Sequence, residues 1–144
     1  MTADQYLSSP TILKAEIASD MDNLAALRAI AENCTTNLEM ISGGKPSGGR
    51  GKMEAFTASL EDEEKLLQDK IAALAVLEQE VLNVIRQIPD AKHRGLLLMR
   101  YISGMSWPEI AKALYTGKSY IFTIRRDALK AVDKILQAKT EQKG

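Results

Sequence analysis

The chain has 144 residues, 45% of them hydrophobic, with 19 Lys/Arg balanced by 19 Asp/Glu. This length allows one or two small domains with a modest core and excludes a large enclosed active site. The neutral total hides an asymmetry, since residues 1–89 carry 8 basic and 14 acidic side chains and residues 90–144 carry 11 and 5. An acidic first part and a basic second part point to nucleic acid at the C-terminal end only.

In chain order, the first predicted element is an amphipathic helix with Ser9 as N-cap and Pro10 at its first position. Leu13, Ile17, Met21, Leu24, Leu27 and Ala31 recur there at steps of three and four. From 34 to 52 the composition turns to Thr, Ser, Gly, Pro and Lys, ending in GGKPSGGRGK, which predicts a mobile linker because it buries nothing. A second helix follows as a rod. Met53, Leu60, Leu67, Leu74, Val81 and Ile88 stand seven apart, flanked by Phe56, Ile71, Leu77, Val84 and Ile85. At 1.5 Å per residue it reaches roughly 54 Å. Pro89 stops it, Asp90 is placed to cap a third helix over 91–102, and Gly104 ends that one.

The seven-residue period marks a helix that winds along another. Its partner is either the first helix, in a hairpin, or the same helix of a second copy. A first helix confined to 10–33 is shorter than the rod by about a third and leaves apolar surface over, which favours a homodimer through the 53–88 helix. The expected fold is all-α. An acidic helical hairpin or coiled coil over 1–89 precedes a basic helix-turn-helix domain over 90–144.

Within 104–129, GMSWPEIAKALYTGKSYIFTIRRDAL, the apolar spacing fits two short helices joined by a sharp turn. Ile110, Ala111 and Leu114 form one face, the Tyr115, Thr116, Gly117 break follows, and Ile121, Ile124, Ala128 and Leu129 repeat at helical spacing. A last helix runs on through Val132, Ile135 and Leu136 to a fraying tail, KTEQKG. Lys118, Ser119, Tyr120, Phe122, Thr123, Arg125 and Arg126 remain outward on the second helix. A hydrogen-bonding and cationic face with aromatic side chains suits the major groove of double-stranded DNA, where base edges and phosphates must both be met.

The run Arg100, Tyr101, Ile102, Ser103, Gly104, Met105, Ser106, Trp107, Pro108, Glu109, Ile110, Ala111 resembles the "RYxxGxSxxEIA" entry into the last DNA-binding region of bacterial sigma factors. The likeness continues without a gap to Ala128 and Leu129, where that family closes its recognition helix. The whole chain resembles most the small phage-encoded regulators of late transcription of the ArpU and RinA kind. That resemblance implies a DNA-binding C-terminal module, possible contact with RNA polymerase, and a recognition helix that begins its contacts at Lys118. The family's next, usually acidic, position is Ser119 here, its usual arginine is Phe122, and its usual glutamine near the base edges is Thr123. These departures imply a target other than the housekeeping promoter element. Arg125 and Arg126 fit phosphate better than bases.

Other features have plainer readings. A phosphate-binding loop ending at Gly51 would need glycine at Pro46, and no strand precedes it, so GGKPSGGRGK reads as linker. His93, the single histidine, is expected on an exposed face between Lys92 and Arg94, and Cys34 is expected to be a buried structural thiol. Glu61, Asp62, Glu63 and Glu64 are consecutive on a helix, point around it and form a solvated face. Trp107 is expected to pack on the preceding helix. No CxxC or HxxxH pair offers a metal site, no apolar run approaches the roughly 18–20 residues of a membrane span, and MTADQYLSSP lacks the order of a signal peptide.

The expectation is a cytoplasmic, non-enzymatic protein with no catalytic residue, metal or cofactor. It would be a sequence-specific DNA-binding regulator, phage-encoded and acting at a late promoter. The alternative is a small terminase subunit that marks viral DNA for packaging, which would form a ring.

Overall fold

The computed structural model describes the backbone of residues 1–40 and 49–143 and the side chains of 1–33 and 51–142. Among these residues the chain is all-α, with five α-helices and no strand: α1 (Ala3–Met40), α2 (Gly49–Arg86), α3 (Ala91–Leu97), α4 (Trp107–Ala113) and α5 (Tyr120–Lys143). No described helix is long and apolar enough to cross a membrane.

α1 starts at Ala3, seven residues before the expected first position at Pro10. Thr2 caps it instead: its hydroxyl accepts from the Gln5 N–H at 3.1 Å while the Gln5 side chain accepts from the Thr2 N–H at 2.9 Å. This reciprocal pair closes the first turn. Pro10 therefore lies inside the helix, where it cannot donate to the Tyr6 carbonyl. The Ser9 hydroxyl supplies the missing donor, 2.5 Å from that oxygen.

The linker expected over 34–52 is also shorter. α1 continues to Met40 and α2 begins at Gly49, and nothing between Pro10 and Gly43 is a glycine or proline that would break the helix. The rest of that linker, 41–48, lies outside the described residues, as does the Cys34 side chain. Both long helices have 38 residues, so the shortfall of a third that favoured a dimer does not exist. α5 likewise continues into the expected frayed tail as far as Lys143.

Charge divides the chain at residue 89; packing divides it elsewhere. Two compact units form, one from Met1–Ile12 with Ala75–Gly144 and the other from Leu13–Leu74. The second is a helical hairpin of α1 and α2. Ile17 and Leu24 are buried along its seam, with Met53, Phe56, Leu60, Leu67 and Leu74 half-buried. Lys70 bridges Glu16 at 2.9 Å and Asp20 at 2.6 Å, and Arg28 pairs with Glu64. Hydrogen bonds first from Asp20 and then from Glu16 hold the Lys70 ammonium above its ordinary pKa. Glu61, Asp62 and Glu63 are exposed, as a solvated face requires, while Glu64 is half-buried.

The first unit has one core. Leu7 from the start of α1 and Val81, Val84, Ile85 and Ile88 from the end of α2 meet Leu96 and Leu97 of α3, Ile110 and Ala111 of α4, and Ile121, Ile124, Ala128 and Val132 of α5. Asp90 caps α3 as expected, accepting from the Lys92 N–H at 2.8 Å and the His93 N–H at 3.3 Å. Those two bonds, the one from His93 first, hold its carboxyl below its ordinary pKa. His93 is not on an exposed face: its side chain is 22% exposed and its Nε2 lies 3.9 Å from the Asp90 carboxylate. After α3 the chain widens into a π-helical turn over Leu98–Ile102, and Gly104, at φ +71, turns it toward α4 in a left-handed conformation that glycine adopts without strain.

Candidate nucleic-acid interface

α4 and α5 form a helix, a turn and a second helix, each boundary set by local chemistry. Ser106 and Glu109 make a capping box at the start of α4. The Ser106 hydroxyl accepts from the Glu109 N–H at 3.4 Å, and the Ser106 N–H donates to the Glu109 carboxylate at 3.3 Å. The S-x-x-E spelling was readable in the sequence. At the other end the Tyr115 N–H donates to the Lys112 carbonyl at 3.2 Å and the Thr116 N–H to the Ala111 carbonyl at 2.9 Å. This is the Schellman pattern, whose residue after the cap is left-handed and usually glycine. Here it is Tyr115, at φ +54.

The faces of α5 are then fixed by which side chains the core takes. Ile121, Ile124, Ala128 and Val132 are buried. Ser119, Thr123, Arg126 and Lys130 fall on the opposite stripe at spacings of four, three and four. Ser119, Arg126 and Lys130 are exposed there and Thr123 is half-buried; Lys118 and Tyr120 are exposed at the entry to the helix. Five of the seven residues expected to contact DNA thus share one end or face of α5. Lys130 extends the same stripe and was missed, although it stands one helical turn beyond Arg126.

Phe122 and Arg125 lie on the flank and are engaged within the chain. The Phe122 ring meets Trp107 at 5.9 Å between centroids and 51° between planes, while remaining 54% exposed. The Arg125 guanidinium lies 5.6 Å from the Trp107 centroid and 3.6 Å from the Asp4 carboxylate. Its Nε is buried with no hydrogen-bond partner. Arg100 covers the same indole at 4.6 Å and donates to the Met105 carbonyl at 3.1 Å. Trp107 is accordingly a packing residue, as expected, and its ring is taken up by two guanidinium groups and a phenyl ring.

Asp4 also accepts from the Tyr101 hydroxyl at 2.5 Å. Burial first, then the Asp4 carboxylate, push the Tyr101 pKa up to about 12, against a smaller opposing pull from Arg125. No local pattern marks this cluster in the sequence, because its members are as far apart as residues 4 and 125. Among the described residues no group of three or more His, Cys, Asp or Glu side chains is arranged to hold a metal ion.

The chain as a whole can be set beside known families. No curated protein and no solved structure matches it. One family model does, over residues 34–133, a span that takes in the end of α1, all of α2, α3 and α4, and α5 as far as Asp133. That match covers well over half of the chain, and the protein belongs to the family described as "Protein of unknown function (DUF1492)".

Proposed function

We propose that the protein is a sequence-specific DNA-binding regulator of transcription, phage-encoded and acting at a late promoter. The observation that carries this reading is the stripe of Ser119, Thr123, Arg126 and Lys130, with Lys118 at its head, on the side of α5 opposite the core. It lies on the second helix of a helix-turn-helix. An α-helix of this kind fits the major groove, where Ser119 and Thr123 meet base edges and Lys118, Arg126 and Lys130 meet phosphates. The absence of any acidic residue from Ile110 to Arg126 supports it, since nothing in that stretch repels a polyanion. Phe122 and Arg125 act in this reading as a buttress that seats α5 on Trp107, with Tyr120 at the rim.

Two protein partners go with the reading: RNA polymerase, through the sigma-like resemblance, and a second copy of the chain through the 53–88 helix. For the latter, Leu66 and Ile71 on that helix keep 54% and 47% of their surface exposed. The reading assigns no catalytic residue and no cofactor. Selection of bound sites from a random pool of duplex DNA tests it. A recovered consensus that the Thr123→Ala variant alters is the expected result, and a pool with no enrichment removes the proposal.

A further inference from the structure

Two residues in the turn between α4 and α5 are exchanged relative to what the fold itself requires. The left-handed position after the α4 cap, where glycine is relaxed, holds Tyr115 at φ +54. An aromatic side chain there is strained, because its Cβ crowds the backbone. The strain gains nothing inside the molecule, since Tyr115 is 98% exposed. Two residues later stands Gly117, whose φ is not left-handed and whose added Cβ would meet nothing within 4 Å. Glycine is not needed there for the chain's own sake.

A strained and fully solvated tyrosine beside a glycine with open space around it describes a surface shaped for something outside the molecule. The neighbours say what. Lys112, Lys118, Ser119 and Tyr120 are all exposed, so the partner is anionic and carries hydrogen-bond acceptors beside an apolar surface. The sugar-phosphate backbone of DNA has both: phosphate oxygens for the tyrosine hydroxyl and Lys118, and a deoxyribose face for the ring.

We infer that Tyr115 contacts the DNA backbone ahead of the recognition helix, and that Gly117 lets the strand approach the turn. This inference rests on the DNA-binding reading above and adds a contact outside α5. Tyrosine is uncharged, so its contact releases no counterion. Its loss should weaken binding by the same factor at every salt concentration, in contrast to the loss of a lysine.

The test compares the full-length wild type with Tyr115→Gly, Tyr115→Asn, Gly117→Ala and Lys118→Ala. The probe is a fluorescein-labelled mixed-sequence duplex of about 30 base pairs, titrated by anisotropy between about 50 and 200 mM salt, with thermal unfolding in parallel. Glycine and asparagine both accept the left-handed backbone, and asparagine lacks glycine's extra freedom. Both Tyr115 variants should unfold at the wild-type temperature or above it and bind about tenfold more weakly, with an unchanged salt slope. Gly117→Ala should remain folded and also lose affinity, while Lys118→Ala lowers the slope by about one unit. Tyr115 variants that bind as tightly as wild type, as they would if the ring served a protein partner, overturn the inference while the DNA-binding reading stands. So do variants that unfold at a lower temperature. A wild-type protein that does not bind the duplex removes both.

Discussion

The Tyr101 hydroxyl donates to the Asp4 carboxylate across 97 positions of sequence, at 2.5 Å, and the same carboxylate lies 3.6 Å from the Arg125 guanidinium. The first turn of α1 is thereby joined to the turn before α4 and to the flank of α5. This attachment orients the helix on which the proposed DNA contacts stand.

The Tyr101 phenol sets an alkaline limit. Its pKa in the folded protein, about 12, lies above the ordinary value of 10.0, so the unfolded chain releases this proton first. Between those two values the folded state holds more protons, and stability falls as pH rises. Chemical denaturation at pH 9 and pH 11.5 should show a loss for the wild type that is clearly smaller for Tyr101→Phe. Equal losses would mean that the phenol is not held by Asp4.

Arg125 and Arg126 are adjacent and should behave differently. Arg126, 63% exposed in its side chain, belongs to the outer stripe, and Arg126→Ala should lower the salt slope of DNA binding by about one unit with little effect on folding. Arg125→Ala removes a guanidinium from Trp107 and Asp4. It should cost stability of about 0.5–2 kcal/mol while leaving the salt slope unchanged. Anisotropy titrations and urea unfolding on the two variants separate these roles, and a slope change for Arg125→Ala would assign it to phosphate as well.

The core under α4 and α5 is thin enough that single truncations should be severe. Ile110 and Ile121 are 0% and 1% exposed, and either changed to alanine should cost about 2–5 kcal/mol, a large share of what a small unit has. Unfolding by circular dichroism measures this. A cost well below that range for Ile121→Ala would show that α4 and α5 pack in another way.

The oligomeric state is read by sedimentation equilibrium at micromolar concentration. The exposed apolar side chains of the hairpin unit lead us to expect a mass near twice the 15.8 kDa of one chain. A clean monomer removes the second copy from the proposal, and a ring-sized mass supports the packaging alternative.

Helical periodicity, the Asp90 cap and the alternation of core and outward residues on α5 were readable from sequence, because each depends on neighbours within about two turns. The all-α class followed, as did the burial of Ile110, Ile121, Ile124 and Ala128 and the exposure of Lys118, Ser119 and Arg126. Local signals also misled where two of them competed. Ser9 and Pro10 spell a helix start, yet Thr2 and Gln5 had already opened one, and the Ser9 hydroxyl repaired the proline's missing bond. The partner of the seven-residue seam, the place of Arg125 and Phe122 on Trp107, and the bond from Tyr101 to Asp4 were decided only by tertiary structure. Each depends on which surfaces meet when the helices pack. That choice is governed by the total apolar area buried and the polar groups left paired, and no stretch of sequence shorter than the fold contains it.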